Sequence, residues 1–256
     1  MKLHLILFLF LCVFANQVAY SQLVNVESKR MQDDTTSFSG AVASSFSYEQ
    51  NNKATLLQTN NSLTMQTRSK SRKDVFLLLG SYELKKTDAG NFSNAGFLHF
   101  RYTRRFIKYF HWEGFVQYQA NPVLLLDNRS LLGTGPRLKI FDKPNLNLSL
   151  GAMYMYELEN TLEDIPQFYI NHRLSTYLSF NYVIAKDRIE ITTITYYQPL
   201  FNDFSDLRVT NQTSISLIFT KNLSFEIGIK YLYDANPPIG VISNSFVNNI
   251  GLKLNF

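Results

Sequence analysis

Apolar and polar residues alternate with a period of two along most of the chain from residue 34 to the end. In the clearest segment, 223–233, every odd position is Leu, Phe, Ile or Tyr, whereas the even positions include Ser224, Glu226, Gly228 and Lys230. Such alternation places successive side chains on opposite faces of a β-strand. The pattern predicts twelve strands, which span residues 36–48, 54–68, 73–84, 94–106, 109–121, 128–141, 145–157, 167–184, 187–198, 207–220, 223–234 and 244–256.

The predicted connections between these strands fall into two sets that alternate along the chain. The short set comprises 69–72, 107–108, 142–145, 186–187 and 221–222, and the long set comprises 49–53, 85–93, 122–127, 158–166, 199–206 and 235–243. Outer-membrane barrels have short periplasmic turns, longer external loops and even strand numbers. The sequence therefore predicts an all-β, up-and-down antiparallel transmembrane β-barrel of about 12 strands, with both ends of the barrel chain in the periplasm.

The chain is rich in aromatic residues, with 15 Tyr and 21 Phe. Many of them lie near the two ends of the predicted strands. Near the long connections lie Tyr48, Tyr82, Tyr118, Tyr154, Tyr156, Tyr197, Tyr231 and Tyr233. Near the short turns lie Phe106, Tyr109, Phe110, Phe141, Tyr182, Phe219 and Phe256. High β-propensity explains the abundance of aromatics but not their sorting to the two ends. Two belts of this kind are typical of the interfacial girdles of a membrane barrel.

The N-terminal residues predict an export signal. Lys2 precedes an apolar run over 5–15, and Ala19 and Ser21 place small residues at a cleavage site. The apolar run is too short for a membrane-spanning helix, which needs about 20 residues. We therefore expect a cleaved signal peptide at 1–21, a periplasmic segment at 22–35 and the barrel at 36–256. Cys12, the single cysteine, would leave with the signal.

The last predicted strand alternates up to Phe256, where the sequence ends. A terminal aromatic on such a strand is typical of the signal that the barrel-assembly machinery recognises. We therefore expect this machinery, outer-membrane lipid and lipopolysaccharide as partners in the outer membrane. The formal net charge of +5 is small and dispersed, so nucleic acid is not expected as a partner. The sequence does not predict an oligomeric state.

If the apolar phase faces lipid, the polar phase lines the lumen. Facing an Arg or Lys toward lipid at mid-bilayer would cost about 2–4 kcal/mol, which favours this assignment. The predicted lumen-lining residues, candidates for ion selectivity, are Arg101, Arg105, Glu113, Arg129, Arg137, Lys139, Arg173, Glu226 and Lys230.

Two interpretations of this basic lumen remain open. Arg101, Arg105, Arg129, Arg137 and Lys139 are expected to form a basic strip that faces Glu113, Gln117 and Gln119. In a water-filled lumen such a strip would attract anions and tune selectivity. In a narrow lumen the same residues would fill the barrel as a paired network, in which Glu113, Arg173 and Glu226 could take part.

Candidates for catalysis and metal binding are few. A lipid-acting enzyme would need a Ser/His pair on the outer surface, but His172 and Ser175 fall on opposite phases. No spacing of His, Asp and Glu resembles a transition-metal site, and we expect no cofactor. The acidic run 157–164 is expected on an outer loop, exposed to solvent. Gly133 and Gly135 are interpreted as making room for neighbouring side chains.

Several stretches resemble a family of salt-induced outer-membrane proteins defined by a domain of unknown function. The residues that carry the resemblance are Arg101-Tyr102, 115–119, 129–137, 197–199 and 233–240. The resemblance covers about residues 38–256, with a departure at Pro136, where a distortion of the barrel wall is expected. It implies a barrel fold and an outer-membrane location, and it brings no activity and no catalytic residue.

These observations predict a non-enzymatic outer-membrane barrel. Its most concrete form is a narrow pore for small anionic solutes, linked through the family resemblance to salt or osmotic adaptation. A closed structural or partner-binding envelope barrel is the alternative. A membrane-embedded lipid-acting enzyme is the least supported, because the required Ser/His pair is missing.

Overall fold

A computed structural model describes residues 37–51, 54–87, 92–184, 188–220 and 223–254. The expected signal peptide at 1–21, the expected periplasmic segment at 22–35 and the expected assembly signal Phe256 lie outside these residues.

The described residues form twelve strands, which confirms the number predicted from the alternation. They are β1 (Phe38–Asn51), β2 (Ala54–Arg68), β3 (Asp74–Thr87), β4 (Phe92–Arg105), β5 (Phe110–Asn121), β6 (Leu126–Lys143), β7 (Leu146–Thr161), β8 (Phe168–Ile184), β9 (Ile189–Pro199), β10 (Leu207–Ile218), β11 (Leu223–Asp234) and β12 (Asn244–Leu254). A 3-10 turn, Pro122–Leu124, connects β5 to β6. Its N-cap Asn121 accepts a hydrogen bond from the backbone NH of Val123, which fixes the turn.

The strands form one antiparallel sheet in the order β1 to β12, the order of an up-and-down barrel. The described residues include no ladder between β1 and β12. The sheet curls strongly, since its polar face brings together strands that are three apart. Tyr177 on β8 hydrogen-bonds Glu113 on β5, and Arg208 on β10 pairs with Glu157 on β7, both at 2.8 Å. The polar phase is therefore the concave side.

The apolar phase faces outward, as predicted. Mid-strand positions expose mainly aliphatic side chains, among them Leu98, Val116, Leu132, Leu150 and Leu178, together with Phe100. Aromatics from both predicted belts are exposed as well, among them Tyr48, Tyr82, Tyr118, Tyr154, Tyr197, Phe106, Tyr109, Phe141 and Phe219. The outer surface is thus an aliphatic band between two aromatic rims. No helix among the described residues is long and apolar enough to cross a membrane.

The predicted alternation of short and long connections is only partly right. The connections 162–167, 200–206 and 235–243 are longer than every connection at the opposite end, and they define the loop side of the sheet. The predicted loops 49–53, 85–93 and 122–127 are shorter than expected, because their flanking strands continue the ladder pairing into them. The opposite end, with connections such as 106–109 and 144–145, is the turn side.

The expected distortion at Pro136 is found on one side of β6, because the ladder with β7 skips Gly135 and Pro136. Pro136 pairs with Trp112 on β5, and the β5–β6 register continues unchanged on both sides of this pair. The register shifts of β6 against β7 lie at its two ends, between Leu126 and Asn128 and between Lys139 and Phe141.

Candidate functional site

The predicted lumen residues lie on the concave face at very different depths. Those that are almost fully buried are Arg101, Glu113, Arg137 and Arg173. Those that are partly buried are Arg105, Arg129, Lys139, Glu226 and Lys230. Burial of charge on this scale requires paired partners, and the partners divide the interior into distinct groups.

Glu113 is the centre of the first group, with no solvent exposure. One carboxylate oxygen, Oε2, lies 3.0 Å from the Arg101 guanidinium and accepts the Tyr177 hydroxyl at 2.8 Å. The other, Oε1, accepts Thr103 at 3.1 Å and lies 3.5 Å from the Arg137 guanidinium. Hydrogen bonds and two cations compensate the desolvation of this carboxylate.

The Tyr177 ring packs near both guanidinium groups. The Arg101 Cζ lies 5.9 Å from its centroid and the Arg137 Cζ lies 5.8 Å from it. Arg101 is also 5.2 Å from the centroid of Phe115. Such cation–π contacts strengthen when they are desolvated. We call Arg101, Glu113, Phe115, Arg137 and Tyr177 the septum.

An apolar layer adjoins the septum on its loop side and shares Phe115 and Tyr177 with it. Its other buried members are Met153, Met155 and Ile194, and partly buried Leu131 and Tyr196 pack against the layer. This layer was not predicted from the sequence, because the apolar residues were expected on the lipid-facing phase. The signal was present in β7, where Met153 and Met155 share the phase of Ser149 and Glu157.

Two inward glycines make room for the aromatic rings, as interpreted from the sequence for Gly133. A Cβ atom at Gly133 would overlap the Phe115 ring, and one at Gly151 would overlap the Tyr177 ring. A Cβ at Gly135 would overlap the backbone of Ala152 instead. The two rings therefore pack directly against the backbone at glycine positions, where a residue with a Cβ atom would overlap them.

Gln117 and Gln119 were expected opposite the basic strip, and they extend the septum toward the loop side. The Nε of Arg101 donates to His99 Nε2 at 3.3 Å, so His99 Nε2 must be the acceptor. The Nδ1–H of His99 then donates to Gln117 Oε1 at 2.9 Å. Gln117 in turn donates to Gln119 at 2.9 Å.

A second ionic group, the loop-side cluster, lies nearer the long connections. It consists of Arg129, Arg173 and Arg208 with Glu157, Glu159, Asp206 and Asp234. Arg208 joins three of the acids, since its guanidinium lies 2.8 Å from Glu157, 3.1 Å from Glu159 and 2.8 Å from Asp234. Three guanidinium groups thus bind four carboxylates, and this part of the interior carries no excess of positive charge.

Two chambers lie on either side of the septum. The loop-side chamber has a volume of about 140 Å³, and residues of the connections such as Leu124, Pro238 and Ile242 line it together with the loop-side cluster. The turn-side chamber has a volume of about 400 Å³. Arg101 lines both chambers, and Glu113 and Tyr177 are buried between them.

The turn-side chamber is strongly basic. Eight cationic side chains line it: Arg68, Arg72, Lys73, Arg101, Arg105, Arg137, Lys139 and Lys143. Asp142, which lies 3.1 Å from Lys139, is the only carboxylate among the described lining residues. In the described part of the chain, Arg72, Lys73, Arg105 and Lys143 form no ion pair. This chamber, rather than a strip along the whole lumen, concentrates the positive charge.

Comparison with known proteins assigns the chain to a family. A family model described as "Protein of unknown function, DUF481" matches residues 33–256. The chain belongs to this family. A search of curated proteins finds no match.

Several solved structures are similar to this DUF481 chain. The NanC porin in a rhombohedral crystal form has 12% sequence identity, a TM-score of 0.49 and coverage of 86% of this chain and 100% of that one. The KdgM porin has 14% identity, a TM-score of 0.44 and coverage of 84% and 99%. The translocator domain of the autotransporter NalP from Neisseria meningitidis has 8% identity, a TM-score of 0.46 and coverage of 86% and 87%.

The structure corrects the predicted basic strip. Arg101, Arg105, Arg137 and Lys139 do line the turn-side chamber, but Arg129 does not. Arg129 lies in the loop-side cluster, 2.7 Å from Glu159. The reason is the position of Arg129 along its strand, because it lies near the loop-side end of β6, whereas the other residues lie toward the turn side.

The expectation for the acidic run 157–164 is wrong for its first half. β7 continues to Thr161, so Glu157 and Glu159 are inward strand residues that are buried and paired rather than exposed on a loop. Arg208, their shared partner, was not among the predicted lumen residues. It is the second residue of β10, immediately after a long connection, where a pattern of alternation has barely begun.

Glu226 and Lys230 lie apart from both ionic groups. They occupy the polar face of β11, and among the described lining residues neither contributes to the two chambers. Arg173 has the partner role that the sequence interpretation allowed for it, since it lies 3.3 Å from Glu157 and 3.0 Å from Asp206.

His172 and Ser175 lie on opposite faces of the sheet. His172 is exposed on the outer face and bonds the Tyr154 hydroxyl, whereas Ser175 is buried on the inner face. The two residues therefore do not form a surface pair. Among the described residues, no group of three or more His, Cys, Asp or Glu is arranged to hold a metal ion.

Proposed function

We propose that the protein is a non-enzymatic outer-membrane barrel that forms a narrow, gated pore for small anionic solutes. The observation that carries the proposal is the divided interior. A chamber approaches the middle of the sheet from each side, Arg101 lines both chambers, and the septum lies between them. A rotation of a few side chains would join the two chambers, whereas a uniformly packed core would offer no such path.

The outer surface supports the membrane location. Its exposed aliphatic band lies between two aromatic rims, the arrangement that membrane barrels present to lipid. The charged side chains named above lie on the opposite, concave face, so the outward band can contact hydrocarbon without burying them in lipid.

The turn-side chamber supports a preference for anions. Its cations outnumber the nearby carboxylates Asp142 and Glu113 several-fold. A cleft lined by charge of one sign raises the local concentration of counterions, and the effect weakens as ionic strength rises. We therefore expect selectivity for chloride over potassium, strongest at low salt.

Single-channel recording on refolded protein tests the pore. The wild type should show brief, small, chloride-preferring openings, and the double variant Phe115→Ala/Tyr177→Ala should show larger and longer ones because the septum has lost its rings. Leu98→Ala/Val116→Ala, two truncations on the exposed outer face, should leave the conductance as in the wild type. If neither the wild type nor the septum variant shows channel openings, although both are well folded, the result would contradict the pore.

A closed structural or partner-binding barrel is the second candidate. It is supported by the pairing of the interior charges, since Glu113 binds two arginines and the loop-side cluster links five strands. The connections are tied as well: the Ile239 NH donates to Glu163 at 2.8 Å, and the Leu162 NH donates to the Leu125 carbonyl at 2.7 Å. Under this alternative, the septum variant should lose stability without gaining conductance.

A link to salt or osmotic adaptation completes the proposal and is based on the family resemblance stated from the sequence. A strain that lacks the protein should then grow more slowly after an osmotic upshift, and the wild-type gene should restore growth. Equal growth of both strains across a range of salt would remove this link while leaving the pore untouched.

A further inference from the structure

The turn-side chamber combines features that a general anion attraction does not require. It is a concavity of about 400 Å³, within the range of small-molecule sites. Its wall is mostly built from strands of the sheet, so its cations are held at defined positions. Arg105, His111 and Arg137 are directly opposed in the ladder of β4, β5 and β6, which forms a row across three adjacent strands.

The charge balance of this chamber favours an occupant with several negative charges. Neighbouring cations in a cavity repel one another more strongly than they would in open water. Asp142 neutralises Lys139 alone, and Glu113 is already shared between Arg101 and Arg137. A monovalent ion would leave most of the repulsion in place, whereas an oxyanion with two or more charges would relieve it at several cations together.

The residue types also match an oxyanion. A planar guanidinium presents paired N–H donors to phosphate-like oxygens, and lysine adds a mobile point charge. Arg105 and Lys139 face the chamber from β4 and β6, on either side of β5. The volume excludes a folded macromolecule, so the source of the anion is a free small molecule.

We propose that the turn-side chamber is a saturable binding site for a small multivalent oxyanion of the phosphate and pyrophosphate class, held by Arg105, Arg137 and Lys139. This inference deepens the proposed pore by naming a solute class, and the site itself exists whether or not the pore conducts.

The site is linked to the septum through Arg137. This residue lines the chamber and also lies 3.5 Å from Glu113 and 3.1 Å from Ser149. A bound oxyanion competes with Glu113 for the Arg137 guanidinium. Because Arg137 also contacts the Tyr177 ring, its movement toward the chamber loosens the septum from the turn side. The oxyanion is thus both a bound solute and an opener of the barrier.

Calorimetric titration of refolded full-length protein with inorganic pyrophosphate, at constant ionic strength set with sodium chloride, tests the site. We expect one saturable site in the wild type and at least tenfold weaker binding in Arg105→Gln/Lys139→Gln. The matched control is Lys70→Gln/Arg188→Gln, which removes two exposed turn-side cations that do not line the chamber, and its affinity should stay within twofold of the wild type. Heat-modifiable migration on gels reports folding of each variant.

Equal weakening of pyrophosphate binding in the two double variants would contradict the proposed site. A heat of titration that never saturates and depends on ionic strength alone would contradict it as well. Bilayer recording separates this outcome from failure of the pore. If pyrophosphate binds but no openings occur, the site stands and the pore fails. If chloride-preferring openings occur without saturable binding, the pore stands and the oxyanion site fails. An increase in open time when pyrophosphate is added to the turn side, lost in Arg105→Gln/Lys139→Gln, supports the link through Arg137.

Discussion

The ring of Tyr177 on β8 lies directly over Gly151 on β7, its partner in the ladder, so closely that a Cβ atom at Gly151 would overlap the ring carbons. This contact places the Tyr177 hydroxyl within reach of Glu113, which lies 64 residues earlier on β5. One glycine therefore sets the position of the side chain that closes the middle of the concave face. The contact makes the septum sensitive to the smallest change at Gly151.

Gly151→Ala should destabilise the protein by about 1–3 kcal/mol, because the added methyl group forces the Tyr177 ring away from the wall. Denaturant unfolding of the refolded protein in detergent measures the change. Gly96→Ala is the control, since a Cβ atom there meets nothing within 4 Å, and it should alter stability by less than about 0.5 kcal/mol. Equal stability of the two variants would show that Tyr177 does not need the space at Gly151.

Glu113→Gln should destabilise the protein by about 3–5 kcal/mol. The substitution keeps the shape of the side chain but leaves the buried guanidinium groups of Arg101 and Arg137 without their carboxylate. Asp142→Asn breaks the more exposed pair with Lys139 and should cost less than about 1 kcal/mol. Denaturant unfolding of the two variants measures the difference. A loss of unfolding free energy in Glu113→Gln no larger than that in Asp142→Asn would mean that the septum is well hydrated.

Arg208→Gln should destabilise the loop side more than the turn side. It removes the cation that joins Glu157, Glu159 and Asp234, and so leaves four carboxylates with two arginines. Because Asp234 immediately precedes the connection 235–243, limited proteolysis should cut that connection faster. Arg188→Gln, a turn-side control at an exposed position, should be cut at the wild-type rate. Unchanged cleavage in Arg208→Gln would indicate that the hydrogen bond from Ile239 to Glu163 suffices to hold the connection.

The proposed outer-membrane location predicts a labelling pattern on intact cells. Cysteines placed at Ile165 and Ile239, the most exposed apolar side chains of the loop side, should react with a membrane-impermeant thiol reagent. A cysteine at Lys70, on the turn side, should react only after the outer membrane is permeabilised. The opposite pattern would place the long connections in the periplasm.

Much of the fold could be predicted from the sequence, because alternation is a local signal. A period of two assigns each residue of a strand to one face, and burying the charged face fixes which face is concave. The strands 54–68, 223–234 and most of the others were located within a few residues for this reason. Strand ends were predicted less well, since ladder hydrogen bonding extends strands into polar segments such as 157–161, whose composition alone is typical of a loop.

The groupings of charge within the lumen could not be predicted in the same way. Alternation shows that Arg129 and Arg137 share a face, but their height relative to residues of distant strands depends on strand tilt and stagger. Glu157 and Arg208 lie 51 residues apart and meet only because the sheet curls.

The sequence by itself determined the strand number, the face of each side chain and the excess of basic residues on the concave face, all of which follow from neighbours a few residues apart. Only the tertiary structure decided which charges pair and where the interior is filled. Arg101 and Arg137 bind Glu113 beside Tyr177, whereas Arg105 and Lys139 face an open basic chamber, because curvature brings β5 and β8 into contact at mid-height and leaves space toward the turns. Residues of the same type on the same face thus acquired different environments from the curvature of the sheet, which no local pattern encodes.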